Sequence, residues 1–495
     1  MGTVAAVAAL AATPMPSMAA DDAPYDAQTV RNQARALAAS PYKAPAGKLP
    51  ESVAYLGYDD YRKIRFDPNQ ALWRNTGLPF QAQFFHRGWL FQDRVEMFEV
   101  QDGRARPIPY RPELFDFGSN ARPPANTDLG FAGMRLHAPI NRPDYFDEVA
   151  VFLGASYFRA VGRNLGYGLS SRGLSLNTAD QGGEEFPAFR AIWLERPTAG
   201  TSSIVIAALI DSPSAAASMR ITLRPGDDTV MDVELGLFPR VDLAQPGIAT
   251  GTSMFLFDSN SRSGLDDWRR AVHDSDGLMM LTGRGEELWR PLSNPRTLQV
   301  SSFQDSSPRG FGLMQRKRLL SDFEDLEARY EKRPSLWVEP IGNWGDGVVQ
   351  LIEIPTRQEI HDNIVAFWRP KEVLRAKSEH NFTYRLHWCA DAPVRSQLAR
   401  FRSSSSGALE KGRVFVLEAT GGKLKDLPPD TALQVRAGTD RGTVQNAVAT
   451  PIPERGGWRI SFELLPGDAK QAELRATLMQ GDTPLTETWV YRWTA

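Results

Sequence analysis

The chain of 495 residues carries a net charge of −2, with 42% hydrophobic and 23% charged residues, and its length exceeds what one hydrophobic core usually supports, so two or three domains are expected. The near-neutral balance argues against the basic surface that nucleic acid or an anionic membrane would select. A single cysteine, Cys389, excludes an intramolecular disulfide, a dithiol redox motif and a thiolate metal site, and reads as a packed or half-exposed strand residue rather than a nucleophile.

The N-terminus reads MGTVAAVAALAATPMPSMAADDAP. Residues 4–12 form an apolar run too short to span a membrane, and small residues at 17–20 offer a cleavage site. Residues 1–20 are therefore expected to be the remnant of a cleaved secretory signal. No Lys or Arg precedes Arg31, which places the basic region upstream, in a longer signal such as a twin-arginine one. Next, residues 26–39 carry Val30, Ala34, Leu37 and Ala38 at helical spacing, stopped by Ser40-Pro41, and a second short helix is expected within 52–63. Beyond that, β-branched, aromatic or alternating runs dominate: 80–91, 149–153, 203–210, 219–224 and 230–238, bounded by turns such as Pro225-Gly226-Asp227-Asp228. Strands without βαβ alternation predict an all-β fold, a large antiparallel sandwich over residues 21–390. Residues 391–403 read as a linker. Residues 404–495, with about seven short candidate strands, read as an immunoglobulin-like sandwich.

Candidate chemistry concentrates in residues 330–368, YEKRPSLWVEPIGNWGDGVVQLIEIPTRQEIHDNIVAFW, where Trp337, Trp344 and Trp368 lie among Glu339, Glu353, Glu359 and Asp362. Flat aromatic faces beside acid groups suit carbohydrate, because sugar C–H faces stack on rings and glycosidic bonds are cleaved by carboxyl groups. They suit ordinary sandwich strands equally. Metal ligation finds no support, since the six histidines form neither HExxH nor H-x-x-x-H and residues 273–277 (HDSDG) lack the ligand positions of a calcium loop. Neither a phosphate-binding glycine pattern nor a nucleophile elbow occurs, so no cofactor is expected. Within the glycine-rich residues 154–173, Tyr157, Arg159, Tyr167 and Arg172 fit either a polar cleft wall or a solvated hairpin. The carboxylates in turn-rich, aromatic surroundings are Glu184, Glu185, Asp274, Asp276, Glu353, Glu359 and Asp362, and spacing alone does not choose a pair among them.

Collinear motifs narrow the choice. AQFFHRG (82–88), DLGFAG (128–133), FLGASYFRAV (152–161), YGLSSRGL (167–174), EEFP (184–187), LIDSP (209–213), TSMFLF (252–257), HDSDG (273–277), RPLSNP (290–295), GFGLMQR (310–316), RPSLWVEP (333–340), EIPT (353–356) and DNIVAFW (362–368) follow in order. Over nearly its whole length the chain resembles the periplasmic glucan biosynthesis proteins G and D, which take part in making osmoregulated periplasmic glucans. RPSLWVEP, AQFFH and the 392–400 segment lean towards the D-type member. The resemblance implies a large sandwich with a long cleft followed by an immunoglobulin-like domain. It also implies an anomer-inverting glycoside hydrolase or (cyclising) transglycosylase acting on β-1,2-glucan. It assigns Asp362 as general acid and Asp274 as general base, with Glu359 and Tyr330 carrying or positioning the proton. An acid of this kind is expected to be desolvated, or close to another carboxylate such as Glu359, which would raise its pKa.

Tyr157, Arg159, Tyr167, Arg172, Glu184, Trp344 and Trp368 are the expected substrate contacts, with Trp344 and Trp368 readable as cleft wall or as core. The expected partners are β-1,2-glucan and the membrane-bound glucan biosynthesis machinery. A second reading is a non-catalytic glucan-binding or scaffold protein of that machinery. The two divide on whether Asp274 and Asp362 face one another across a cleft.

Overall fold

The computed structural model describes residues 22–45, 49–259, 261–262, 264–394 and 396–495; the expected signal, 1–20, lies outside them. The fold is an all-β sandwich architecture, as the strand patterning predicts. Its two main layers are a sixteen-stranded and a ten-stranded sheet. The expected strands form at Gln81–His86, Tyr145–Leu153, Ile204–Asp211, Ala215–Arg224 and Thr229–Pro239. The expected first helix is Thr29–Ala38, which buries Val30 and Ala34, while the second breaks into Glu51–Ala54 and Tyr58–Tyr61 around Gly57.

The period of two in each strand sorts residues between the core and the outer face. In the ten-stranded sheet, Phe84, Met134, Leu136, Ala150, Phe152, Phe158, Ile364, Ala366 and Trp368 point into the main core between the layers. Their neighbours point the other way. The ladder registers place Gln83 opposite Arg135, Arg135 opposite Val151, Val151 opposite Arg159, and then Ser170, Thr252 and Val365 in one row across the sheet. A second row runs Phe85, Gly133, Leu153, Tyr157, Arg172 and Thr250. Cross-strand partners share a face, so these two rows form the floor of the open side of the molecule.

The C-terminal part differs from the expected arrangement in two ways. Strand Arg400–Leu409 starts inside the segment expected to be a linker, because Phe401 is buried in a second core and its serine-rich continuation pairs in register with Gly412–Thr420. Polar composition had suggested a linker, yet hydrogen-bonded edge positions accept serine. Further, only one C-terminal layer is separate, a four-stranded sheet. The other three main strands, Gln434–Thr439, Gln471–Gln480 and Thr488–Thr494, extend the sixteen-stranded sheet through a parallel pairing of Trp289 with Trp489. Cys389 packs, fully buried, at the seam of that second core, as a strand residue.

Candidate active site

A cavity of about 500 Å³ opens on the floor described above, lined among others by Leu153, Tyr157, Arg159, Asp274, Arg333, Glu359 and Asp362. Two loops bring the carboxyls there. Asp274 follows the short strand Val272–His273, and its N–H donates to Met254 O at 2.8 Å. Asp362 lies in the loop before strand Ile364–Pro370, and that loop is stapled at both ends. At its C-terminal end the buried amide of Asn363 accepts from Phe255 N–H (2.8 Å) and donates to Phe255 O and Ile354 O (both 3.0 Å). At its N-terminal end Asn294 accepts from Thr356 N–H (3.0 Å) and donates to Thr356 O (2.8 Å) and Leu256 O (3.0 Å). Local side-chain-to-backbone bonds of this kind let a loop hold a defined shape without a ladder.

The two carboxyls have different surroundings. Asp274 is 3% exposed, and burial pushes its pKa up to about 6, against the opposing pull of Arg333 and with a further push from the Asp362 charge. Arg333 Nη1 donates to Asp274 Oδ1 at 2.6 Å, and its guanidinium lies 4.5 Å from the Tyr330 ring centroid. Asp362 reaches solvent across the cavity, but the protein walls around it limit its hydration and raise its pKa, opposed by Arg159, Arg172 and Arg333. Among the described residues it makes no ion pair. Of the two expected causes for Asp362, desolvation or a nearby carboxylate such as Glu359, desolvation is the one that raises it, and the carboxyl that feels its charge is Asp274.

Glu359 is instead held by Arg269 at 2.7 Å, and Arg269 also bridges to Asp267 (2.8 Å) and Asp325 (3.1 Å). Tyr330 is buried at the start of the 3₁₀ turn Tyr330–Lys332, its hydroxyl kept protonated by burial and by the charges of Glu359 and Asp274. Three of the four residues assigned by resemblance, Asp274, Glu359 and Asp362, therefore line one cavity, and Tyr330 is buried against Arg333 on its wall. Of the four polar residues singled out in 154–173, Tyr157 and Arg159 line the cavity. Arg172 stacks on the Tyr157 ring (4.8 Å) and pairs with Glu184, which also accepts from Thr178 at 3.0 Å, while Arg159 stacks on Tyr167 at 5.6 Å. Arg172, Glu184 and Tyr167 thus hold the wall residues without lining the cavity themselves.

Trp344 and Trp368 are not in the cleft. Trp368 is fully buried with Trp344 6.3 Å away, and Trp344 packs edge-on to Phe382 and Tyr384. Trp368 shares the even-numbered, inward face of its strand with Ile364 and Ala366, so it belongs to the core. Glu353 is likewise buried in an ion pair with Arg290 (2.9 Å) and hydrogen bonds from Ser293, a structural role. Sequence reasoning missed Arg333 and Arg269. Arg333 opens the RPSLWVEP motif, but a lone arginine next to proline carries no signal of its target. Leu90 and Ile360, exposed at 74% and 77%, form apolar lips of the cavity.

A larger cavity, about 940 Å³, lies farther along the same floor around Phe85 and Arg135. It lacks the acid pair. Among the described residues, no group of three or more His, Cys, Asp or Glu side chains is placed to hold a metal ion. No described helix is long and apolar enough to cross a membrane.

Comparison with known proteins gives a consistent result. Residues 25–493 match the family model described as "Periplasmic glucan biosynthesis protein, MdoG". A protein named glucans biosynthesis protein G from Rhodopseudomonas palustris (strain BisA53) is 56% identical over 95% of this chain and 94% of its own length. Proteins of the same name from Bradyrhizobium diazoefficiens (55% identical, 94% of this chain and 92% of the relative) and Vibrio cholerae strain O395 (50%, 95% and 87%) are also similar. These matches correct the lean towards the D-type member: identity summed over 472 aligned residues outweighs the three short segments that suggested it.

Proposed function

This chain belongs to the periplasmic glucan biosynthesis protein MdoG family, and on that footing we propose that it takes part in periplasmic glucan biosynthesis as an enzyme that cleaves or transfers β-1,2-glucan. The observation that carries this reading is that Asp274 and Asp362 face one cavity and are coupled electrostatically across it, both shifted upward by enclosure. A binding protein needs stacking faces and hydrogen bonds, but not two carboxyls with shifted titration.

In the open cleft both carboxyls are raised, so burial alone does not divide acid from base. Contact with Arg333 does: it favours the ionised form of Asp274, the form a base needs. Asp362 makes no ion pair among the described residues and faces the cavity, the space a glucan chain would fill. Displacing water there removes its remaining hydration and favours the protonated acid that a leaving oxygen requires. Glu359, fixed by Arg269 on the cavity wall, and the buried Tyr330 hydroxyl, which senses the charges of Glu359 and Asp274, can position or pass the proton. Attack by a base-activated nucleophile on the face opposite the acid inverts the anomeric carbon. The nucleophile, water or a glucan hydroxyl, decides between hydrolysis and transfer.

Incubation with linear β-1,2-glucan, followed by chromatography and by NMR of the first-formed anomer, tests the proposal. Shorter chains with inverted configuration support hydrolysis, and cyclic or branched products support transfer. Unchanged glucan that nevertheless binds would replace this reading with that of a glucan-binding scaffold protein.

A further inference from the structure

The groups that set the Asp274 loop lead out of the cleft and into the C-terminal layer. Residues 314–316 grip the loop at three points: Met314 O accepts from Asp276 N–H (2.8 Å), the Asp276 carboxylate accepts from Arg316 N–H (3.1 and 3.2 Å), and Gln315 Nε2 donates to His273 O (3.2 Å). Gln315 Nε2 also reaches Tyr330 O at 3.3 Å. One short segment thus touches both flanks of Asp274 and the backbone of Tyr330.

What fixes that segment is the side chain of Arg316. It forms a two-pronged ion pair with Glu487 (2.5 and 2.8 Å), donates to Phe401 O (3.0 Å), and lies 3.5 Å over the ring of Trp289. Glu487 accepts in addition from Phe401 N–H at 2.8 Å, and the Arg316 and Glu487 side chains are only 4% and 0% exposed. Trp289 also presses on the loop itself: a Cβ at Gly277 would sit 2.1 Å from the indole, so only glycine fits at the end of HDSDG. Trp289 in turn pairs across the parallel ladder with Trp489, two residues beyond Glu487.

We propose that the C-terminal strands are a positioning element for the carboxyl pair, with Glu487 the positioning residue that, through Arg316, sets the loop carrying Asp274. This rests on the reading of the cleft given above. A buried ion pair is seldom worth more than well-packed apolar side chains of the same volume, whereas its directional bonds specify geometry. Four directed hydrogen bonds converge here on one buried arginine–glutamate pair.

The test uses the whole chain with two changes: Glu487→Gln, which keeps the shape, and the pair Arg316→Met with Glu487→Leu, which removes both charges and keeps the packing should the first variant not fold. Circular dichroism checks folding. Turnover on linear β-1,2-glucan and the NMR titration of the Asp274 carboxyl are then read. The proposal expects kcat lower by about 10- to 100-fold, KM within about twofold of wild type, and an Asp274 titration displaced from the wild-type curve, since displacements near 1 Å have effects of that size. A folded double variant with wild-type kcat and wild-type Asp274 titration overturns it. Should the wild-type chain leave the glucan untouched, the proposed reaction fails. The Asp274 titration in the variants then decides this inference alone, a displaced curve supporting it and an unchanged one overturning it.

Discussion

Arg333 donates to Asp274 at 2.6 Å, yet the carboxyl it contacts still titrates high, at about 6, because burial outweighs the cation. Arg333 is therefore a restraint on how far Asp274 can rise. Replacing it with methionine keeps the packing on Tyr330 and removes the charge. The acid limb of the pH–rate profile, expected near 6 in the wild type if Asp274 is the base, should then move up by about one unit or more, as expected on losing a contact guanidinium. An unmoved limb would show that Asp274 does not govern it.

Asp274 also costs stability in its ionised form. Its folded pKa, about 6, stands above the unfolded value of 3.8, so the folded state holds the proton more tightly. Stability from this group is fully present below pH 3.8 and is lost as pH rises to about 6. Asp274→Asn, which cannot ionise and still accepts from Arg333, should be more stable than wild type at pH 8 by up to about 3 kcal/mol, and nearly equal to it at pH 4. Urea unfolding at the two pH values measures this.

Asp362 reaches the cavity from a loop whose ends are held by Asn363 and Asn294, not by Asp362 itself. Asp362→Asn should leave the melting temperature nearly unchanged while lowering glucan turnover by about 10²–10⁴-fold, the usual contribution of a general acid. Full activity in the folded variant would remove Asp362 from the mechanism.

Tyr157 and Trp368 were both expected to touch substrate, and their placements predict opposite behaviour. Trp368→Ala empties a fully buried site in the main core and should cost about 3–5 kcal/mol in chemical denaturation. Tyr157→Ala, on the cavity wall, should cost much less stability and instead weaken glucan binding, seen as a higher KM.

Period-two patterning was legible along the chain, because a strand's alternation is written in neighbouring residues. The all-β class, the first helix and most strand positions followed from it, and collinear motifs carried the family and the Asp274 and Asp362 assignments. What remained illegible depended on residues far apart in sequence. The face chosen by Trp368 depends on which side of its sheet meets the other layer, and an isolated strand offers both sides. The partners of Asp274, Glu359 and Arg316 are Arg333, Arg269 and Glu487, each separated from its target by tens of residues or more. Residues 400–403 read as the end of a linker, since their pairing with the Gly412–Thr420 strand exists only once the C-terminal layer has formed. Local propensity is a property of the chain; burial and charge pairing are properties of the folded packing, and only the tertiary structure turned two acidic residues 88 positions apart into neighbours across one cleft.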